Sequence, residues 1–155
     1  ESRLGKGSTF RVHFPVVGTT DMQEIEEDKN IPSGNENILF IDDEKLISEV
    51  GTEMLQRLGY KVTAKRSSIE ALKTFKNNPK KFDLVITDQT MPNLSGSDLS
   101  RQMIQIKPDI PIILCTGYSD SINEYQAKVI GVKEFALKPI TRNEIAKLIR
   151  KVLDD

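Results

Sequence analysis

Ile38-Leu39-Phe40-Ile41-Asp42-Asp43-Glu44 is the stretch that decides the fold. Four apolar residues run without alternation, and two carboxylates follow at once. A continuous apolar run of this length suits a strand covered on both faces, as in a parallel sheet. Beyond it, Leu46, Ile47, Val50, Met54, Leu55 and Leu58 recur at helical spacing, and Gly59 stops the helix. Tyr60 to Ala64 alternates in character and suits an edge strand. Ser67 and Glu70 form a candidate capping box ahead of Leu72 and Phe75. Leu84-Val85-Ile86 and Ile112-Ile113-Leu114 are further central strands, and Phe135-Ala136-Leu137 is the last strand. Leu99, Met103 and Ile106 mark a helix closed by Lys107-Pro108. Ile122, Tyr125 and Val129 mark another, ending near Gly131. Thr141 and Glu144 make a second capping box before Ile145, Leu148, Ile149 and Val152.

Five strands thus alternate with five helices over residues 37–155. Parallel strands need crossover helices, so the pattern predicts an α/β fold: a doubly wound five-stranded parallel sheet with helices on both faces. The first, third and fourth strands are the most apolar, and the weaker second and fifth fit the edges. That agrees with the flavodoxin-like order 2-1-3-4-5.

Composition narrows the function. Of 155 residues, 37% are hydrophobic and 29% charged, enough for a packed core. A net charge of −1 excludes a strongly basic nucleic-acid binder, and no nucleic-acid partner is expected. No apolar run is long enough to span a bilayer, so this stretch is not expected to bind membrane. A single cysteine, Cys115, excludes an internal disulfide and a cysteine-based zinc site. Cys115 follows an apolar strand and reads as a buried structural thiol. A cytoplasmic location is expected, compatible with a membrane-anchored parent. The chain opens at Glu1 rather than Met and reads as an excised fragment. Charge divides it further. Residues 1–17 carry net +2, residues 18–36 net −5 and residues 37–155 net +2. The acidic middle stretch, with Gly18, Pro32 and Gly34, reads as a solvated linker.

Open parallel sheets place their sites beyond the carboxyl ends of the strands. The first strand delivers Asp42 and Asp43 there, and the third Asp88. The fourth delivers Thr116 and the fifth Lys138. Three carboxylates, a hydroxyl and an ammonium are expected on one rim. Clustered carboxylates suit a hard divalent cation such as Mg2+, which takes oxygen ligands and often a phosphate. A carboxylate there can also attack phosphorus and form an aspartyl phosphate. Lys138 would pair with a carboxylate in the empty site and with a phosphoryl oxygen in the filled one. Each residue alone has a plainer explanation, as a helix cap, a turn residue or a surface lysine. Their placement at four strand ends favours a site.

Four segments carry a family resemblance: residues 38–44; Leu84-Val85-Ile86-Thr87-Asp88-Gln89-Thr90-Met91-Pro92-Asn93-Leu94-Ser95-Gly96; Leu114-Cys115-Thr116-Gly117; and Phe135-Ala136-Leu137-Lys138-Pro139. Together they resemble a response-regulator receiver domain of two-component signalling, over residues 37–155. The resemblance implies Asp88 as phosphoacceptor and Asp42 and Asp43 as acidic-pocket residues. It implies Asp43, Asp88 and the Thr90 backbone carbonyl as Mg2+ ligands. Thr116 would be the switch hydroxyl, Phe135 the switch aromatic and Lys138 the phosphate-binding lysine. It also implies a cis bond before Pro139, and that Thr90 and Tyr118 tune phosphate lifetime. Three residues depart from the family pattern: Gln89 for an apolar residue, Ser95 for Asp or Asn, and Ser68 for Gly. None removes a reacting group.

Gly5-Lys6-Gly7-Ser8-Thr9-Phe10-Arg11-Val12-His13-Phe14-Pro15 resembles the closing segment of a histidine-kinase ATP-binding domain. In it a glycine turn leads into a strand in which Phe10, Val12 and Phe14 alternate. The implied order is a kinase remnant at 1–17, a linker at 18–36 and a receiver at 37–155, from the C-terminal end of a hybrid sensor histidine kinase. The implied partners are histidine kinase catalytic and dimerisation domains and a histidine phosphotransfer protein. No ATP binding by this stretch is expected. One rival is a haloacid-dehalogenase-like phosphatase, which needs a second Asp two residues after its nucleophile. Thr90 follows Asp88 and Glu44 follows Asp42, so the pattern fails. The other is a degenerate receiver that acts only as an interaction module.

Overall fold

The computed structural model describes residues 2–3, 7–13, 31–117 and 128–154. The chain divides into two compact units, Glu1–Asn30 and Ile31–Asp155. In the first unit, β1 (Ser2–Arg3) pairs antiparallel with β2 (Gly7–Ser8). The strand thus lies ahead of the expected Phe10–Phe14 stretch, and residues 9–13 join no ladder. Phe10 and Val12 are exposed. A strand is stabilised by neighbours that cover its apolar face, and β1 already pairs with Gly7–Ser8. Phe14 and residues 18–30 of the acidic linker lie outside the described residues.

The second unit begins at Ile31, six residues before the boundary read from sequence. Its strands are β3 (Asn37–Ile41), β4 (Lys61–Lys65), β5 (Leu84–Asp88), β6 (Ile112–Thr116) and β7 (Glu134–Leu137). All pair in parallel, in the order β4-β3-β5-β6-β7. Numbered within this sheet alone, that is 2-1-3-4-5. The helices are α1 (Lys45–Arg57), α2 (Ser68–Asn77), α3 (Gly96–Ile106), α4, described over residues 128–130, and α5 (Arg142–Asp154). Ile122 and Tyr125, expected on α4, lie outside the described residues.

The unbroken apolar strands explain the double layer. Successive side chains on β3 face opposite ways. Leu39 and Ile41 join one core with Leu72, Phe75, Leu99 and Met103 of α2 and α3. Ile38 and Phe40 join the other with Leu55 of α1 and Ile145 and Ile149 of α5. β5 and β6 are buried throughout, whereas β4 and β7 are partly exposed, as sheet edges are.

Local signals set the helix ends. Thr141 and Glu144 form a reciprocal capping box: the Thr141 N–H donates to Glu144 Oε2 at 2.8 Å, and the Glu144 N–H to Thr141 Oγ1 at 3.3 Å. Ser67 Oγ accepts from the Glu70 N–H at 3.4 Å. Gly59 ends the first helical segment at φ +95, a conformation side chains other than Gly rarely adopt.

Candidate functional site

The carboxyl ends of β3, β5, β6 and β7 meet at one rim. Asp42, the residue after β3, is 2% exposed. Its Oδ1 accepts from the Glu44 N–H at 3.0 Å at the start of α1. Asp88 ends β5 and is 8% exposed. Its Oδ2 accepts from the Thr90 N–H at 2.8 Å. Lys138 follows β7, and its backbone N–H donates to the Thr116 carbonyl at 2.8 Å, extending the β6–β7 pairing to the rim. From there its Nζ reaches Asp42 Oδ2 at 2.8 Å and Asp88 Oδ1 at 2.6 Å. The Lys138-Pro139 bond is cis.

The charges do not balance. One ammonium serves two buried carboxylates. Burial raises the Asp88 carboxyl above its ordinary value; the Lys138 hydrogen bond and charge lower it, and neighbouring Asp42 raises it again. Burial opposes the Lys138 charge, but hydrogen bonds to Asp42 and Asp88 outweigh it and hold the lysine above its usual range. Thr116 is 1% exposed, and its hydroxyl is buried with no hydrogen-bond partner. A buried hydroxyl left unpaired is costly and calls for an explanation.

The structure therefore brings Asp42, Asp88 and Lys138 together, with Thr116 at the neighbouring strand end. Asp43 does not join the ion-paired cluster; it is half-buried on the turn at 43–44. Arg66 Nε and Nη2 both donate to the Asp43 carbonyl, each at 3.3 Å. Among the described residues, no group of three His, Cys, Asp or Glu could by itself hold a metal ion. Thr90 is exposed at the mouth of the rim, and Tyr118 lies outside the described residues. Phe135, on β7, is partly buried against the α2–α3 core. Cys115 is buried beneath the rim, and burial pushes its thiol up to about 12, so no thiolate forms near neutral pH.

The three departures from the family pattern all serve one loop. Gln89 is buried, and its Oε1 accepts from the Ser97 N–H at 3.0 Å. Ser95 caps α3 by accepting from the Asp98 N–H at 3.2 Å. Ser68 Oγ donates to the Pro92 carbonyl at 3.1 Å. Sequence reasoning missed these roles, because each depends on a partner that the fold supplies.

A doubly wound sheet with this rim defines a two-component receiver. The response regulator receiver domain family matches residues 38–150, and the chain belongs to that family. A receiver domain from Clostridium thermocellum is 35% identical with a TM-score of 0.74, covering 77% of this chain and 94% of that one. The sensor kinase CckA of Brucella abortus is 26% identical over 99% of this chain. The aerobic respiration control sensor ArcB of Escherichia coli is 29% identical, also over 99%. The chain spans only 17% and 20% of the lengths of those two kinases. The receiver domain of the sensor histidine kinase PA1611 from Pseudomonas aeruginosa shares the fold, at TM-score 0.70 and 22% identity, covering 79% of this chain and all of that one. That structure holds a magnesium ion in its active-site cleft. No described helix here is long and apolar enough to cross a membrane.

Proposed function

We propose that Asp88 accepts a phosphoryl group from a kinase phosphohistidine. One observation carries this reading: two buried carboxylates share a single lysine beside a buried hydroxyl with no partner. An Asp88 carboxylate oxygen attacks phosphorus in line. A P–O bond forms as the P–N bond breaks, and the electron pair returns to the imidazole. Lys138 turns from the carboxylates to a phosphoryl oxygen. Thr116 gives its hydroxyl hydrogen bond to the same group.

The donors fit Mg2+. Asp43, Asp88 and the Thr90 carbonyl would supply hard oxygen ligands, and Mg2+ sites commonly use one or two carboxylates and keep several waters. Asp42 completes the acidic pocket. Held there, the ion would supply positive charge to offset that of the phosphoryl oxygens, which Lys138 alone does not balance. Phe135 would turn inward behind Thr116 and change the neighbouring surface.

Similarity to CckA and ArcB over nearly the whole chain supports a hybrid-kinase origin. On that reading residues 1–17 are the end of an ATP-binding domain and 18–36 a linker. The receiver either relays its phosphoryl group to a histidine phosphotransfer partner or regulates its own kinase, in the cytoplasm. Intact mass after incubation with acetyl phosphate tests the chemistry. One phosphoryl group is expected on wild type with Mg2+, and none without Mg2+ or on Asp88→Asn. A folded wild type that takes no phosphoryl group, from acetyl phosphate or from a phosphorylated histidine kinase, would leave the interaction-only reading.

A further inference from the structure

We propose that Gln89 is a positioning residue for the phosphoacceptor site. Its side chain closes the loop that carries Thr90 and thereby fixes the Thr90 carbonyl for the cation. This rests on the reading of Asp88 as phosphoacceptor and of Thr90 as a Mg2+ ligand.

The first turn of a helix leaves its N–H groups without partners in the helix. In α3 the Gly96 N–H donates to the Gln89 carbonyl at 2.9 Å. The Ser97 N–H donates to the Gln89 side-chain oxygen at 3.0 Å. Ser95 Oγ takes only the next one, from Asp98. One residue, seven positions before the helix, therefore satisfies two of these donors. Gln89 Nε2 also donates to Ser97 Oγ at 3.4 Å, so both ends of the amide are used.

Residues 90–95 form a loop whose two ends are held together by Gln89. Its first residue, Thr90, also has its N–H on Asp88 Oδ2 at 2.8 Å. Its middle contains a tight turn: Asn93 has φ 70, and the Leu94 N–H donates to the Pro92 carbonyl at 2.9 Å. Ser68 holds that same carbonyl from α2. Gly96 packs so close that a Cβ there would lie 2.1 Å from the Asp88 carbonyl oxygen. The Gln89 side chain itself bonds to Ser97 and not to the reacting carboxylate. It sets where the Thr90 peptide sits relative to Asp88. A carbonyl ligand misplaced by a fraction of an ångström weakens a cation that demands near-ideal octahedral geometry.

The variants are Gln89→Met, matched in size but without the acceptor, and Gln89→Glu, which keeps an acceptor for Ser97. Mg2+ is titrated into metal-free protein and followed by amide NMR shifts at the rim. Acetyl phosphate labelling is then measured across a Mg2+ series. Gln89→Met is expected to need about five- to tenfold more Mg2+ for half-saturation in both assays, the loss of about one hydrogen bond. Its labelling at saturating Mg2+ should match wild type. Gln89→Glu should stay within about twofold of wild type. A folded Gln89→Met with unchanged half-saturation overturns the proposal. If wild type binds Mg2+ but takes no phosphoryl group from acetyl phosphate or from a phosphorylated histidine kinase, the reading of Asp88 fails while the titration still decides Gln89. A wild type that binds no Mg2+ overturns both. If Gln89→Met does not fold, amide exchange of wild type decides: Gly96 and Ser97 should be protected, and open-loop exchange rates there would sink the idea.

Discussion

At the amino-terminal edge of the sheet, Glu36 faces one cation, with Arg150 Nη2 at 2.6 Å from its Oε1. Arg150 also reaches the Ser33 carbonyl at 3.4 Å, and Asp83 Oδ2 accepts from both Asn37 N–H groups at 2.8 and 3.2 Å. The Tyr60 hydroxyl and Arg150 Nε are buried there without partners, and Arg150 Nη2 also pairs at 3.2 Å with Asp154, a carboxylate that stays largely in solvent. At the carboxyl-terminal edge, Asp42 and Asp88 divide a single Lys138, and the Thr116 hydroxyl has nothing to bond. Both edges carry charge that is at least half-buried, so partial burial alone does not mark the site. The carboxyl-terminal edge stands out because both carboxylates on its one cation are buried, beside a buried hydroxyl without a partner, and the proposed function gives that edge a cation and a phosphoryl group to hold.

Removing Lys138 should therefore give the largest effect. Lys138→Met leaves two buried carboxylates facing each other, and breaking a buried pair from one side costs about 3 kcal/mol. Urea unfolding in metal-free buffer checks this, and adding Asp88→Asn should recover a good part of the loss. No recovery would mean that Lys138 contributes packing rather than charge balance.

A pair of glycines sharpens the comparison with a smaller effect. A Cβ at Gly59 would lie 2.4 Å from the Gly34 carbonyl oxygen at the amino-terminal edge, and φ there is +95. A Cβ at Gly96 would lie 2.1 Å from the Asp88 carbonyl oxygen at the other edge. Each Gly→Ala change should cost about 2 kcal/mol. Only Gly96→Ala should also slow Mg2+-dependent labelling of Asp88. Equal slowing by Gly59→Ala would show that the two edges are coupled.

The same contrast explains what the sequence revealed. The central strands are legible because each is a closed apolar run, and the rim residues because each stands just past one. Residues 31–36 read as linker by composition, with Pro32, Gly34 and Asn35 among them. Yet Ile31 packs on the core, the Gly34 N–H donates to the Leu58 carbonyl at 3.1 Å, and Glu36 finds a partner 114 residues away. No local pattern announces such contacts. Gln89 is hidden for a related reason. Its side chain caps a helix that starts seven residues later, beyond the spacing of any capping box. Phe10 and Val12 fail in the other direction: their alternation fits a strand, but they join no ladder.

The smallest effect is a difference of sign with pH. Hydrogen bonding to Arg150 lowers the Glu36 carboxyl below its ordinary value of 4.5, against the opposing push of burial. That stability is present above 4.5 and is lost as pH falls through the lowered value. Burial raises Asp88 above its ordinary 3.8, so its contribution runs the other way. It is full below 3.8 and is lost as pH rises through the raised value. In chelator-containing buffer, Glu36→Gln should therefore be less stable than wild type at neutral pH, by about 0.5–1 kcal/mol for a partly exposed pair. The gap should close in acid. Asp88→Asn should be the more stable protein at neutral pH, and its advantage should also shrink in acid. Urea unfolding between pH 3 and pH 7, about the range where carboxyls titrate, reads both. Two gaps of the same sign would mean that both edges neutralise their carboxylates equally well, and the imbalance at the rim would lose its meaning.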